Sequence, residues 1–120
     1  MKKITAFENA IANQVKDLKA EGINPTAFWA YRTSCHNGND LIDFCEVIWD
    51  EDIEAIATTF EQNGITEFTI SSTFSSLIAT LATFAKLGFK MAGITEVNAN
   101  YTDWMTGERA KVPALLMQKA

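Results

Sequence analysis

The chain has 120 residues, 48% of them hydrophobic and 21% charged, with a formal net charge of −5. Such a composition supports one globular domain over residues 1–120 with a core of its own, and no run approaches the roughly 18 consecutive apolar residues of a membrane span. Lys and Arg are neither abundant nor clustered, which argues against a phosphate-binding surface for DNA or RNA.

Ile4, Phe7, Ile11, Val15 and Leu18 recur every three or four residues, which predicts a helix from about 3 to 21 ending before Gly22. Asn24-Pro25 then supplies an N-cap and a proline at the first helical position, so a second helix runs from Thr26 to about His36 and stops at Asn37-Gly38. Its aromatics Phe28, Trp29 and Tyr31 cannot all face one way. DLIDFCEVIW fits either a helix face or a strand, and its β-branched and aromatic residues favour a strand at about 41–46. Asp50 and Asp52 start a helix whose stripe is Ile53, Ile56, Ala57 and Phe60, ending at Asn63-Gly64.

TEFTIS (66–71) reads as a short strand. TFSSLIATLATFAKLG follows as a helix with Phe74, Leu77, Ile78, Leu81 and Phe84 on one stripe and Gly88 as its stop. FKMAGITEVNANYT and AKVPALLMQ are strands joined by a turn. Pairing them puts Thr95, Val97, Ala99 and Tyr101 on one face with Ala110, Val112, Ala114 and Leu116, and Glu96, Asn98 and Asn100 on the other with Arg109 and Lys111. The order α-α-β-α-β-α-β-β describes an α/β or α+β domain with a mixed sheet of about four strands. Parallel crossovers precede a closing hairpin, and Pro113 places the last strand at an edge, at least there.

Four stretches merit a functional reading. In ISSTFSS, Ser71, Ser72, Thr73 and Ser75 lie where a strand meets a helix, a position that suits an anion or small molecule, although Ser72 or Thr73 acting as an ordinary helix cap is the preferred explanation. Cys35, His36 and Cys45 match neither a thiol–base pair nor a metal site, and they read as free thiols beside a lone histidine. No catalytic residue, metal or cofactor is expected. Between Asp40 and Glu61 the chain carries eight acids and no Lys or Arg. There Asp50, Glu51 and Asp52 fit a solvated helix start, and an acidic face that imitates nucleic acid is the functional alternative.

The fourth stretch is YTDWMTGERA. Asp103 and Thr106 can bond backbone N–H groups inside the turn and Gly107 can take a positive φ, which leaves Trp104 and Met105 free to project as an interaction anchor. Tyr101 and Arg109 are their neighbours. The same residues are compatible with a hairpin that curls so that Trp104 lies back over its own strands.

The combination of FTISSTFS with YTDWMTGE resembles a group of small uncharacterised proteins carried on mobile elements of gut Firmicutes, over about the last sixty residues. That resemblance implies mobile-element accessory work and no known activity. MKKITAFENA lacks the uninterrupted apolar stretch of a signal peptide, which places the chain in the cytoplasm, where the sequon Asn100-Tyr101-Thr102 carries no sugar. The leading expectation is a non-enzymatic protein-binding or accessory module acting through the 101–109 tip, with a homo-oligomer as one form of partnership. An anion-binding domain using residues 71–76 and an acidic inhibitor of a nucleic-acid-binding defence protein are the alternatives.

Overall fold

The computed structural model describes residues 1–120. Its order is α1 (Thr5–Ala12), a 3₁₀ turn (Lys19–Glu21), α2 (Pro25–His36), β1 (Asp43–Phe44), α3 (Asp50–Gln62), β2 (Glu67–Ile70), α4 (Leu77–Lys86), β3 (Phe89–Thr102) and β4 (Arg109–Lys119). The four strands form one mixed sheet, β1-β2-β4-β3, on which four helices pack in an α+β arrangement.

The local chemistry explains most boundaries. The Asn24 side chain accepts from the Ala27 N–H at 3.0 Å, and Pro25 fills the first turn where its missing N–H is harmless. At the far end of α2 the Gly38 N–H returns to Cys35 O and the Asn39 N–H to Ser34 O, a Schellman closure made possible by Gly38 at φ +75°. Gly64 closes α3 in the same way, with the Ile65 N–H on Phe60 O at 2.8 Å.

The first helix is shorter than its periodicity predicts. It ends at Ala12 because Gln14 adopts φ +51° and its N–H and that of Val15 fold back onto Ile11 O and Ala10 O. This is the same closure built without glycine. Val15 and Leu18 still turn inward, so an apolar spacing of three and four survives across a break in the helix.

The strand predicted at 41–46 contracts to two residues, Asp43 and Phe44, which pair in parallel with Thr69 and Ile70. The helix predicted from residue 73 begins at Leu77, because the chain after β2 stays tied to the end of β1: the Ser71 and Ser72 N–H groups both bond Phe44 O. Neither Ser72 nor Thr73 caps α4. Ile78, expected on the buried stripe, is exposed.

The last strand is at an edge only around Pro113 and is an inner strand beyond it. β4 lies between β2 and β3 and is antiparallel to both, so β2 and β3 run parallel with β4 inserted between them. Pro113 is tolerated because β2 covers only Leu115–Gln118, leaving one side of β4 open where the proline sits. The expected shared face of the hairpin is observed, with Thr95 opposite Ala114 and Val97 opposite Val112. The register slips between Asn98 and Thr102, where β3 has more residues than its partner.

The core is dominated by aromatic rings. Phe68 of β2 sits among Phe44, Phe60, Phe84 and Phe89, with ring centroids 5.0–5.6 Å away and edge-to-face or tilted geometry throughout. A second group joins Phe7 of α1 to Phe28 and Tyr31 of α2 at 5.6 and 5.5 Å. Tyr31 carries a hydroxyl into this apolar group and donates it to the Glu8 carboxylate.

Candidate functional site

The hairpin tip is held by its own polar residues. The Asp103 carboxylate accepts from the Met105 N–H at 2.8 Å, the Thr106 hydroxyl accepts from the Glu108 N–H at 3.3 Å, and Gly107 has φ +73°. Backbone bonds from Asp103 to Glu108 O and from Gly107 to Asp103 O complete the loop. With the turn fixed by residues 103, 106 and 107, the side chains between them point away. Trp104 is 88% exposed, and Met105 and Tyr101 are also exposed. Arg109 is half-buried and pairs with Thr102 at the base.

The hydroxyl-rich junction is built differently from an anion site. Asp43 is buried, and its two carboxylate oxygens accept from Thr69 Oγ1 and Ser71 Oγ, each at 2.6 Å. The Ser72 hydroxyl donates to Glu46 O at 3.0 Å, while Thr73 and Ser75 point to solvent. The donors of Ser71 and Ser72 are therefore occupied, and the nearest charge is negative. An anion entering here would meet a carboxylate at close range in a medium that screens poorly.

Ser34 of α2 accepts from the Asp43 N–H at 2.8 Å, on the side of β1 away from β2. Asn39 performs the corresponding service on β3, where its side-chain amide bonds both the N–H and the carbonyl of Asn98. One segment, from Ser34 to Asn39, thus occupies one position on each outer edge of the sheet, and unpaired strand edges are the positions most prone to recruit foreign chains.

Cys35 and Cys45 are free and exposed thiols at the protein surface. Partial desolvation pushes the Cys45 thiol up even so, and Asp43 and then Glu46 add to the effect, which disfavours the thiolate. No three His, Cys, Asp or Glu side chains converge into a possible metal site. In the acidic run, Asp52 accepts from Thr26 Oγ1 at 2.7 Å and from Asn24 Nδ2 at 3.1 Å, tying the start of α3 to the start of α2. Asp50 and Glu51 remain exposed beside it.

One feature is invisible to sequence patterning. Between α2 and the segment joining β1 to α3 lies a groove of about 520 Å³ lined by Trp29 from α2 and by Trp49 from that segment, together with Thr33, Cys45, Glu46 and Asn100. Trp29 is 55% and Trp49 61% exposed. Asn100 belongs to β3 and directly precedes Tyr101, so the groove adjoins the base of the hairpin tip. The only sequence hint was that Phe28, Trp29 and Tyr31 could not share one face of α2. Phe28 and Tyr31 took the core.

A family model described as a domain of unknown function, DUF7698, matches residues 26–119. The chain belongs to that family. No curated protein and no solved structure matches it. The DUF7698 region runs from α2 through β4 and includes Trp29, Trp49, the hydroxyl junction and the whole hairpin, leaving α1 and the 3₁₀ turn outside. It thus extends well upstream of the last sixty residues. No helix is long and apolar enough to cross a membrane.

Proposed function

We propose that the chain is a non-enzymatic protein-binding or accessory module that engages its partner through the hairpin tip, with Trp104 and Met105 as anchors and Tyr101 and Arg109 beside them. The observation that carries this reading is the exposure of all three tryptophans, with Trp104 the most exposed and Met105 next to it. Tryptophan is normally among the better-buried residues, and Trp, Tyr and Arg are the types that dominate binding hot spots. A turn rigidified by Asp103, Thr106 and Gly107 presents these side chains with little ordering cost on association. Mobile-element accessory work and a cytoplasmic location belong to the same proposal, as does self-association as one form of partnership.

The reading of residues 71–76 as an anion site is weaker, because Ser71 and Ser72 already donate to Asp43 and Glu46. The acidic-inhibitor reading keeps Asp50 and Glu51 but loses Asp52 to its bonds with α2.

Position 104 tests the proposal when it carries a photoreactive residue in place of tryptophan. A discrete cross-linked species in cells, absent when the same residue is placed at the exposed Ile78, supports the tip as the contact. Equal labelling from both positions, or none from 104, removes it.

A further inference from the structure

The groove between α2 and the β1–α3 segment has a chemistry of its own. From the module reading above and this geometry we infer that it receives an arginine-bearing segment of a partner protein, with the guanidinium held between Trp29 and Trp49. Three observations point to a cation. First, two exposed indoles line the groove, and indole is the aromatic ring with the strongest attraction for a positive charge. This chain already forms one such contact: the Arg32 guanidinium lies 5.6 Å from the centre of the Trp29 ring, in the neighbouring groove against α1. Trp49 has no cation of its own over its ring.

Second, acids outnumber bases around the groove, where Arg32, over Trp29, is the one cation against a lining residue. From Thr33 to Ala85 the chain carries no Lys or Arg. Glu46 lines the groove, the exposed Asp50 and Glu51 follow Trp49 in the chain, and Asp52 holds Thr26, another lining residue. The hydrogen-bond donors to Asp43 and Asp52 are neutral hydroxyl and amide groups, and no Lys or Arg is paired with either. Such a field raises the local concentration of cations.

Third, the volume fits a peptide side chain and its flanking backbone, lying within the range of roughly 300–1,000 Å³ usual for ligand sites. Thr33 and Asn100 offer a hydroxyl and an amide at the walls for a planar, five-donor group. Arginine suits this site better than lysine because its guanidinium stacks on aromatic faces and is more weakly hydrated.

The experiment is fluorescence anisotropy with a dye-labelled peptide carrying three arginines among glycine and alanine, beside the same peptide with the arginines replaced by citrulline, which keeps shape and removes charge. Saturable binding of the arginine peptide, none of the citrulline peptide, and at least fivefold weakening by Trp49→Ala, Trp29→Ala and Glu46→Gln would be the expected result. Both tryptophans are exposed, so at least one of these variants will keep the wild-type circular dichroism and carry the comparison. Absence of binding at millimolar peptide overturns the inference. So does binding that Glu61→Gln, at the far end of α3, weakens as much as Glu46→Gln while the tryptophan variants leave it unchanged, since that is attraction to net charge alone. The photoreactive residue at position 104 reports the tip separately. A peptide that fails while the tip still cross-links removes the groove alone, and a peptide that binds while the tip cross-links to nothing removes the tip reading alone.

Discussion

The side-chain amide of Asn39 bonds both backbone groups of Asn98: Oδ1 accepts from the Asn98 N–H at 2.8 Å and Nδ2 donates to the Asn98 carbonyl at 3.0 Å. A neighbouring strand would make the same two bonds. Asn98 reciprocates with its own amide, which donates to Asn37 O at 3.0 Å. Removing the Asn39 amide by Asn39→Ala leaves the Asn98 backbone pair without protein partners, and stability should fall by about 1–3 kcal/mol. Amide hydrogen exchange at Asn98 should accelerate in this variant more than at Val97 or Ala114. Uniform acceleration along β3 would instead mean that the loop merely braces the strand.

Asp43 should behave as a structural carboxylate. Asp43→Ala strands two hydroxyls, Thr69 in a fully buried position and Ser71 in a half-buried one, and should cost about 1–3 kcal/mol in urea unfolding. Asp43→Asn keeps an acceptor for one hydroxyl and should cost less. Because the Asp43 charge helps hold the Cys45 thiol above its ordinary range, the Asn variant should also make Cys45 react faster with a maleimide at mildly alkaline pH. Unchanged reactivity would leave burial and Glu46 as the causes.

Tyr31 gives the fold an alkaline limit. Burial, then its bond to Glu8, raises the phenol above its ordinary pKa of about 10. Folding therefore favours the protonated phenol: the stabilisation is fully present below about pH 10 and is lost as pH rises from there towards the folded-state value. Tyr31→Phe should remove that pH dependence while lowering neutral-pH stability by about 1 kcal/mol. Melting temperatures across the alkaline range for the two proteins would check both parts.

The bend after α1 is a site where a substitution should help. Gln14 holds φ +51°, a conformation that glycine reaches without steric cost. Gln14→Gly should stabilise the protein by up to about 1 kcal/mol, and a loss of similar size would show that the Gln14 side chain, which lines the groove beside α1, packs usefully there.

The tryptophans should report their own exposure. With all three more than half exposed, intrinsic emission should lie near that of free indole and acrylamide should quench most of it. Trp104→Ser should change stability by no more than about 0.5 kcal/mol, the usual scale for surface substitutions. A blue-shifted spectrum, or a large loss of stability, would mean that the tip folds back onto the protein or is covered by another copy.

What could be read from the residues alone follows a physical line. Asn24-Pro25, Asn37-Gly38 and Asn63-Gly64 carry their structural instruction locally, and each boundary lies within a residue or so of its expected place. The end of α1 uses the same closure as α2 and α3, but with Gln14 where they have glycine, so nothing in the local chemistry announces it. β1 is too short for any periodicity. The place of β4 depends on which partner β2 finds in space, and the alternation of the two hairpin strands predicts their mutual pairing without predicting a third strand alongside. The tip is legible because Asp103, Thr106 and Gly107 make the turn by themselves. The two-tryptophan groove is not, because its walls come from elements twenty residues apart in sequence and exist only once α2 has packed against the end of β1.

The position of β4 also makes the two halves of the sheet depend on a strand that follows both in the chain. β2 and β3 leave the ribosome before β4, and neither has the other as a neighbour; each waits for a strand that is translated after both. Until residues beyond Arg109 have emerged, the β1–β2 pair and the long β3 each present a bare edge, and Phe68 and Phe89 lack the strand that brings them together. The sheet is therefore whole only with β4 in place, and a chain lacking residues 109–119 would leave β2 and β3 with unpaired edges and the rings of Phe68 and Phe89 without the strand that joins theirs.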